Sequence, residues 1–173
     1  VRYEIDPTHS SVHFSVRHLM VSNVRGEFTK VSGTIQFDPQ NPAASTVQAS
    51  IDATSINTRD DQRDGHLKSA DFLDVEKFPT ITFQSKQIQA HGNGGKVTGD
   101  LTIHGVTRLI TLDVEGPTEE IKDPWGNRRI GASATTKLSR KDFGLVWNAA
   151  LETGGVMIGD EVKITLDLEA VRA

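Results

Sequence analysis

Arg63-Asp64-Gly65-His66-Leu67-Lys68-Ser69-Ala70-Asp71-Phe72-Leu73-Asp74-Val75-Glu76-Lys77-Phe78-Pro79-Thr80-Ile81-Thr82-Phe83 departs from the two-residue alternation that governs the rest of the chain. Charges crowd together, and Leu67, Ala70 and Leu73, with Phe72 beside them, recur at roughly helical spacing. Pro79 blocks any further helix, and Thr80-Ile81-Thr82-Phe83 resumes the strand period. The stretch reads as a long connection carrying a short helical crossover near residues 63–78, held down by Phe72 and Phe78. In a chain rich in strands such a connection plugs one end of a barrel, crosses between sheets, or runs over the surface.

Outward from it, the strands follow one another. Towards the N-terminus, Val47, Ala49, Ile51 and Ala53 share one side of a strand over 46–57. A long strand over 27–38 carries Phe28, Ile35 and Phe37, with Gly33 and a phase slip near Val31 suggesting a bulge or bend. Asn23 to Gly26 reads as the turn before it. Val12, Phe14, Val16 and His18 share the apolar face of a strand over 10–19, and Tyr3 and Ile5 that of a first strand stopped by Pro7. On the far side, Val97, Gly99, Leu101 and Ile103 alternate, then Ile110, Leu112 and Val114, then Ile130, Ala132 and Ala134. Trp125 sits in an Asp-Pro-Trp-Gly-Asn turn and is expected to be at least half-buried. Ser139 to Gly144 reads as a helical turn with Ser139 as N-cap, and Val156-Met157-Ile158 as an apolar loop folding inward. Val162, Ile164, Leu166, Leu168 and Ala170 complete the cleanest alternation. About eight or nine short-linked strands with one apolar face each imply an all-β, antiparallel barrel or sandwich. The barrel accounts better for both the strand count and the crossover.

The 173 residues suit one domain spanning 1–173. A net charge of −4 argues against nucleic acid as a partner. Cysteine is absent, which excludes disulfides, thiolate nucleophiles and Cys-ligated metals. No apolar run is long enough for a membrane-spanning helix, and the N-terminal residues show no basic segment followed by an apolar one.

Catalytic groups do not converge in the sequence. His9 and His13 lie roughly 13 Å apart on extended chain, His13 and His18 face opposite ways, and no His-Glu-x-x-His pair occurs. The Gly-rich run before Lys96 lacks the phosphate-loop pattern, and no Gly-x-Ser-x-Gly elbow exists. Asp64, His66 and Ser69 supply acid, base and hydroxyl types, but on one short segment, where Arg63 and Asp64 serve better as anchors through salt bridges and backbone hydrogen bonds. His18 reads as a core histidine bonded to a backbone carbonyl or as a polar group at a cavity mouth. The small inward residues Ala49, Ala53, Gly99, Ala132 and Ala134 leave room for an apolar ligand, unless larger side chains interdigitate with them. Pattern alone leaves hollow and filled interiors open.

Several stretches in order resemble the YceI-like family: Ile5-Asp6-Pro7-Thr8-His9-Ser10, Val16-Arg17-His18, Arg63-Asp64-Gly65-His66-Leu67 and Ser69-Ala70-Asp71-Phe72. Phe78-Pro79-Thr80-Ile81-Thr82-Phe83, Gly99 to Thr107 and Ser139-Arg140-Lys141-Asp142-Phe143-Gly144 extend the resemblance over essentially the whole chain. It implies a lipocalin-like antiparallel β-barrel binding a long-chain isoprenoid lipid such as a quinone or polyprenyl phosphate, with no cofactor, no metal and no catalytic set, as a homodimer. The tail is expected along Val12, Phe14, Val16, Ile51, Phe83, Leu101, Ile103 and Leu112, and the head group near His18, Arg63 or His66. Many members are periplasmic; the chain resembles those without a leader, so a cytoplasmic location is expected, or a periplasmic one if a signal peptide was removed before Val1. The rival expectations are an enzyme acting on such a lipid, with His66 and Asp64 as acid–base groups, and a filled barrel acting as an interaction module.

Overall fold

The structure, a computed structural model, describes residues 1–149, 151 and 157–173. Its strands are β1 (Arg2–Ile5), β2 (Ser11–His18), β3 (Ser22–Phe28), β4 (Val31–Gln36), β5 (Thr46–Asp52), β6 (Ile56–Asn57), β7 (Thr80–His91), β8 (Gly94–Ile103), β9 (Val106–Glu115), β10 (Ile121–Lys122), β11 (Arg128–Ser139) and β12 (Ile158–Arg172). One helix, α1 (Asp61–Lys68), lies between β6 and β7. All recorded pairings are antiparallel, and β12 closes the sheet by pairing β11 on one edge and both β1 and β2 on the other. The pairs β1/β2, β3/β4 and β5/β6 each act as one interrupted strand, so the closed barrel has eight strand positions in chain order. The expected all-β barrel with a short helical crossover is therefore what forms.

The interruptions come where a reading by composition placed long strands. The stretch 27–38 breaks at Thr29-Lys30, not at Gly33, and 46–57 breaks at a 3-10 turn over Ala53–Ser55, which takes Ala53 off the barrel wall. The turn expected at Asn23–Gly26 lies instead at Leu19-Met20-Val21, with Leu19 and Met20 in left-handed conformations. Gly26 is in β3, opposite Phe14, where a Cβ would sit 2.5 Å from the Phe14 ring. The glycine makes room for an aromatic ring; it does not bend the chain. Gly99 does the same for Phe83, whose ring would meet a Cβ at 2.7 Å, so Gly99 adds no empty volume.

Asp60 caps α1 by accepting from the Arg63 amide (3.0 Å), and the helix ends at Lys68 with Ser69 as C-cap. The expected helical spacing does not continue: Ala70 is exposed, while Phe72 and Leu73 are buried in turns that lead to Pro79. Leu73 packs in the main core with Ile56, Ile81 and Phe143, seating the crossover over one end of the barrel. Ser139 stands at the N-cap position of the 3-10 turn Arg140–Phe143 but makes no side-chain cap bond; Gly144, with φ 76°, ends it as expected. Trp125 is 83% exposed, because Asp123 accepts from the amides of Trp125 and Asn127 and holds the turn out into solvent. Gly154, Gly155 and Val156 of the expected inward loop lie outside the described residues.

The opposite end is tied by Arg129. Its Nε donates to Asp123 (2.7 Å), and its Nη1 to Asp6 (2.7 Å) and Glu169 (3.2 Å), joining the end of β1, the start of β11 and β12. The Arg129 guanidinium, with His9 and Thr8 beside it, holds the Asp6 carboxyl far below the usual carboxylate range, and Arg129 lowers Asp123 as well. Groups depressed in the folded state stabilise above their unfolded pKa of about 4, and that stabilisation is lost as pH falls through the folded values. Arg129→Leu is therefore expected to lower the melting temperature near neutral pH and to flatten its decline between about pH 4 and about pH 2. Thermal melts followed by circular dichroism across that range check this; an unchanged acid slope would refute it.

Candidate ligand cavity

The inward faces of the strands enclose two apolar cavities, of about 250 Å³ and about 220 Å³. The first is walled by Ile51, Phe83, Leu101, Leu112, Leu166 and the short Ala49, Ala132 and Ala134; the interior is hollow. The second lies under the crossover, against Phe14, Val16, Leu67, Phe72, Leu73, Leu145 and Met157. Val12, Phe28, Ile81, Ile103 and Ile164 line both, so the two meet at a waist one side chain thick. Phe14 and Phe28 pack there with ring centroids 5.6 Å apart.

All eight residues expected along a lipid tail stand on these walls: Ile51, Phe83, Leu101 and Leu112 on the first cavity, Phe14 and Val16 on the second, and Val12 and Ile103 on both. His18, Arg63 and His66, expected near a head group, all reach the second cavity. Their commitments differ. Arg63 donates from Nε to the Thr58 hydroxyl (2.8 Å) and from Nη2 to the Thr58 carbonyl (2.7 Å). Asp64, buried, accepts from the Thr58 amide (2.9 Å) and hydroxyl (2.5 Å). Both residues anchor the crossover as expected, but by hydrogen bonds alone: among the described residues neither makes an ion pair. His66 places Nε2 2.9 Å from Asp71 and stacks edgewise on Phe72 (5.0 Å) and Trp147 (4.8 Å). His18 is half-buried, and its ring has no hydrogen-bond partner among the described residues. Asp64 and His66 are thus turned to Thr58 and Asp71, not to each other, so the two do not form the expected acid–base pair.

Two wall residues carried no periodic signal. Arg140 is 4% exposed and donates to the carbonyls of Gly159 (2.8 Å), Leu145 (2.6 Å), Trp147 (2.9 Å) and Ile158 (3.4 Å). Burial draws its pKa below the usual arginine value, opposed by Asp160 at 3.7 Å. With Asn148, which brackets Ile158 through both its amide and its carbonyl, it pins residues 145–149 beside β12 and so holds Trp147 at the cavity. At the far end, Asp6, His9 and Glu169 converge closely enough to suggest a metal, but Arg129 already holds both carboxylates.

The family model of the YceI-like domain matches residues 3–170. The chain belongs to the YceI-like family. A UPF0312 protein of Staphylococcus aureus is 40% identical over 169 residues, covering 96% of this chain and 95% of its own. Among solved structures, Burkholderia cenocepacia BcnA superposes with a TM-score of 0.80 at 26% identity, over 95% of this chain and 98% of its own. A polyisoprenoid binding domain from Saccharophagus degradans superposes with a TM-score of 0.70 over 99% and 98% of the two chains; at 18% identity it shares the fold. The YceI-like barrel therefore accounts for the whole matched span, the crossover included.

Proposed function

We propose that this protein binds a long-chain isoprenoid lipid, an isoprenoid quinone or a polyprenyl phosphate, in its barrel and carries or stores it without altering it. The observation that carries the reading is the pair of adjacent cavities that share five wall residues and are lined almost throughout by aliphatic and aromatic side chains. Such walls offer nothing to pair a buried charge and suit a hydrocarbon tail. Each methylene moved from water into them contributes about 0.8 kcal/mol, so a tail of several isoprene units supplies ample gross affinity. Of the polar residues lining the second cavity, we assign His18 and Arg63 to the head group. The Saccharophagus degradans domain, which shares the fold, binds polyisoprenoid by its description, and this supports the choice of lipid.

Native mass spectrometry and solvent extraction of protein purified from its own host, without detergent, test the reading. A prenyl lipid bound at one per barrel is expected. Protein that arrives empty, and that takes up no quinone or polyprenyl phosphate when offered them, would refute it. Recovery of a chemically changed prenyl compound after incubation would point to an enzyme instead.

A further inference from the structure

We propose that the tip of the β2–β3 hairpin, Leu19-Met20-Val21, docks the protein onto an anionic lipid bilayer. These three apolar residues are 39%, 51% and 74% exposed. Leu19 and Met20 have φ of 52° and 61°, a left-handed conformation that Asn and Gly adopt at little cost and that Leu and Met do not. Turn geometry therefore does not account for their presence, and neither does packing: among the described residues none of the three lines either cavity or belongs to a hydrophobic cluster. They project from the rim of the second cavity. Arg17 and His18, immediately before the tip, line that cavity, and the Leu19 amide donates to the carbonyl of Met157, another wall residue, at 2.8 Å.

Charge selects the partner. From Phe14 to Gly26 the sequence holds Arg17, His18 and Arg25 and no acidic residue, in a chain whose net charge is −4. Arg17 and Arg25 are exposed, and Arg17 folds over the turn to donate to the Met20 carbonyl (3.1 Å). An apolar tip with an arginine on each of its two strands matches the interface of an anionic membrane, where side chains enter the headgroup layer and each nearby cation adds to binding. The other exposed apolar pair, Ile121 and Trp125 at the opposite end, has Glu119, Glu120 and Asp123 interleaved with Lys122 and Arg128, so it lacks a surround of one positive sign. The docking surface rests on the hairpin alone and not on which molecule fills the barrel.

Flotation with vesicles of equal parts phosphatidylglycerol and phosphatidylcholine, against phosphatidylcholine alone, tests it. The parent protein is expected to float with the anionic vesicles and to be released by salt. The variant Leu19→Asn/Met20→Gly/Val21→Thr suits the left-handed turn, so its thermal melt stays at or above the parent's, while its vesicle binding falls about tenfold. Arg25→Gln lowers binding about fivefold. Since the tip lines neither cavity, lipid recovered by extraction from the triple variant stays at the parent's level, which separates loss of docking from loss of cargo. No flotation of the parent with anionic vesicles, or equal flotation of the triple variant, would overturn the proposal. So would a dimer in sedimentation velocity that the triple variant converts to monomer without vesicle binding by the parent, which assigns the tip to a second copy.

Discussion

Ala134→Phe is expected to empty the barrel of lipid while leaving its strands paired. Ala134 is 8% exposed, points inward from β11 between Leu166 and Val114, and lines the larger cavity. A phenyl ring there enters space that is already empty, so the overpacking cost stays near the low end of about 1–3 kcal/mol. If the ring displaces about three methylenes of a bound tail, affinity falls by about 2.4 kcal/mol, or roughly fifty-fold. Extraction should recover little prenyl lipid from this variant. Thr135→Phe, one residue along on the exposed outer face, should retain it. Full lipid occupancy in Ala134→Phe would mean that the cavity is not where the tail lies.

The second large effect concerns Arg140. Its replacement by Met preserves length and apolar contact but removes the donors that serve four carbonyls, those of Leu145, Trp147, Ile158 and Gly159. Bonds from a charged donor are worth about 1.5–3 kcal/mol each, and acceptors left without partners add a desolvation cost. Allowing for water reaching some of them, Arg140→Met is expected to destabilise by about 4 kcal/mol. Urea unfolding gives the magnitude. Of the two tryptophans, Trp125 is already in solvent and Trp147 is half-buried, so the blue-shifted part of the emission reports Trp147 leaving the cavity. A loss below about 1 kcal/mol with unchanged emission would show that the segment is held by other contacts.

What was legible in the sequence was what period two encodes. The apolar inward residues of β8, β9, β11 and β12 follow from alternation, because one face of each strand is turned to the interior and is less exposed than the other. That the eight residues expected along a tail stand on the cavity walls was legible for the same reason. Turns were read less well, since Asn23 and Gly26 have turn chemistry by type while the actual turn is made by Leu19 and Met20. A glycine opposite a phenylalanine and a glycine in a turn look alike until the cross-strand partner is known. Arg140 and Trp147 were not legible. A buried arginine is recognised by the carbonyls that surround it, and those come from a segment with no period and from a strand far along the chain.

One consequence of β12 concerns time. Tyr3 pairs with Arg172 and Val12 with Leu166, so the wall begun by the earliest strands is finished by the latest of them. At about 5–20 residues per second on the ribosome, the nascent β1–β2 ribbon waits on the order of ten seconds for its neighbour. Until then the hydrophobic lining faces outward, and no cargo can be enclosed. Such distant pairing also makes the final zippering slow. A holdase that shields the unfinished curl is thus more useful to this fold than to a helical bundle of equal size.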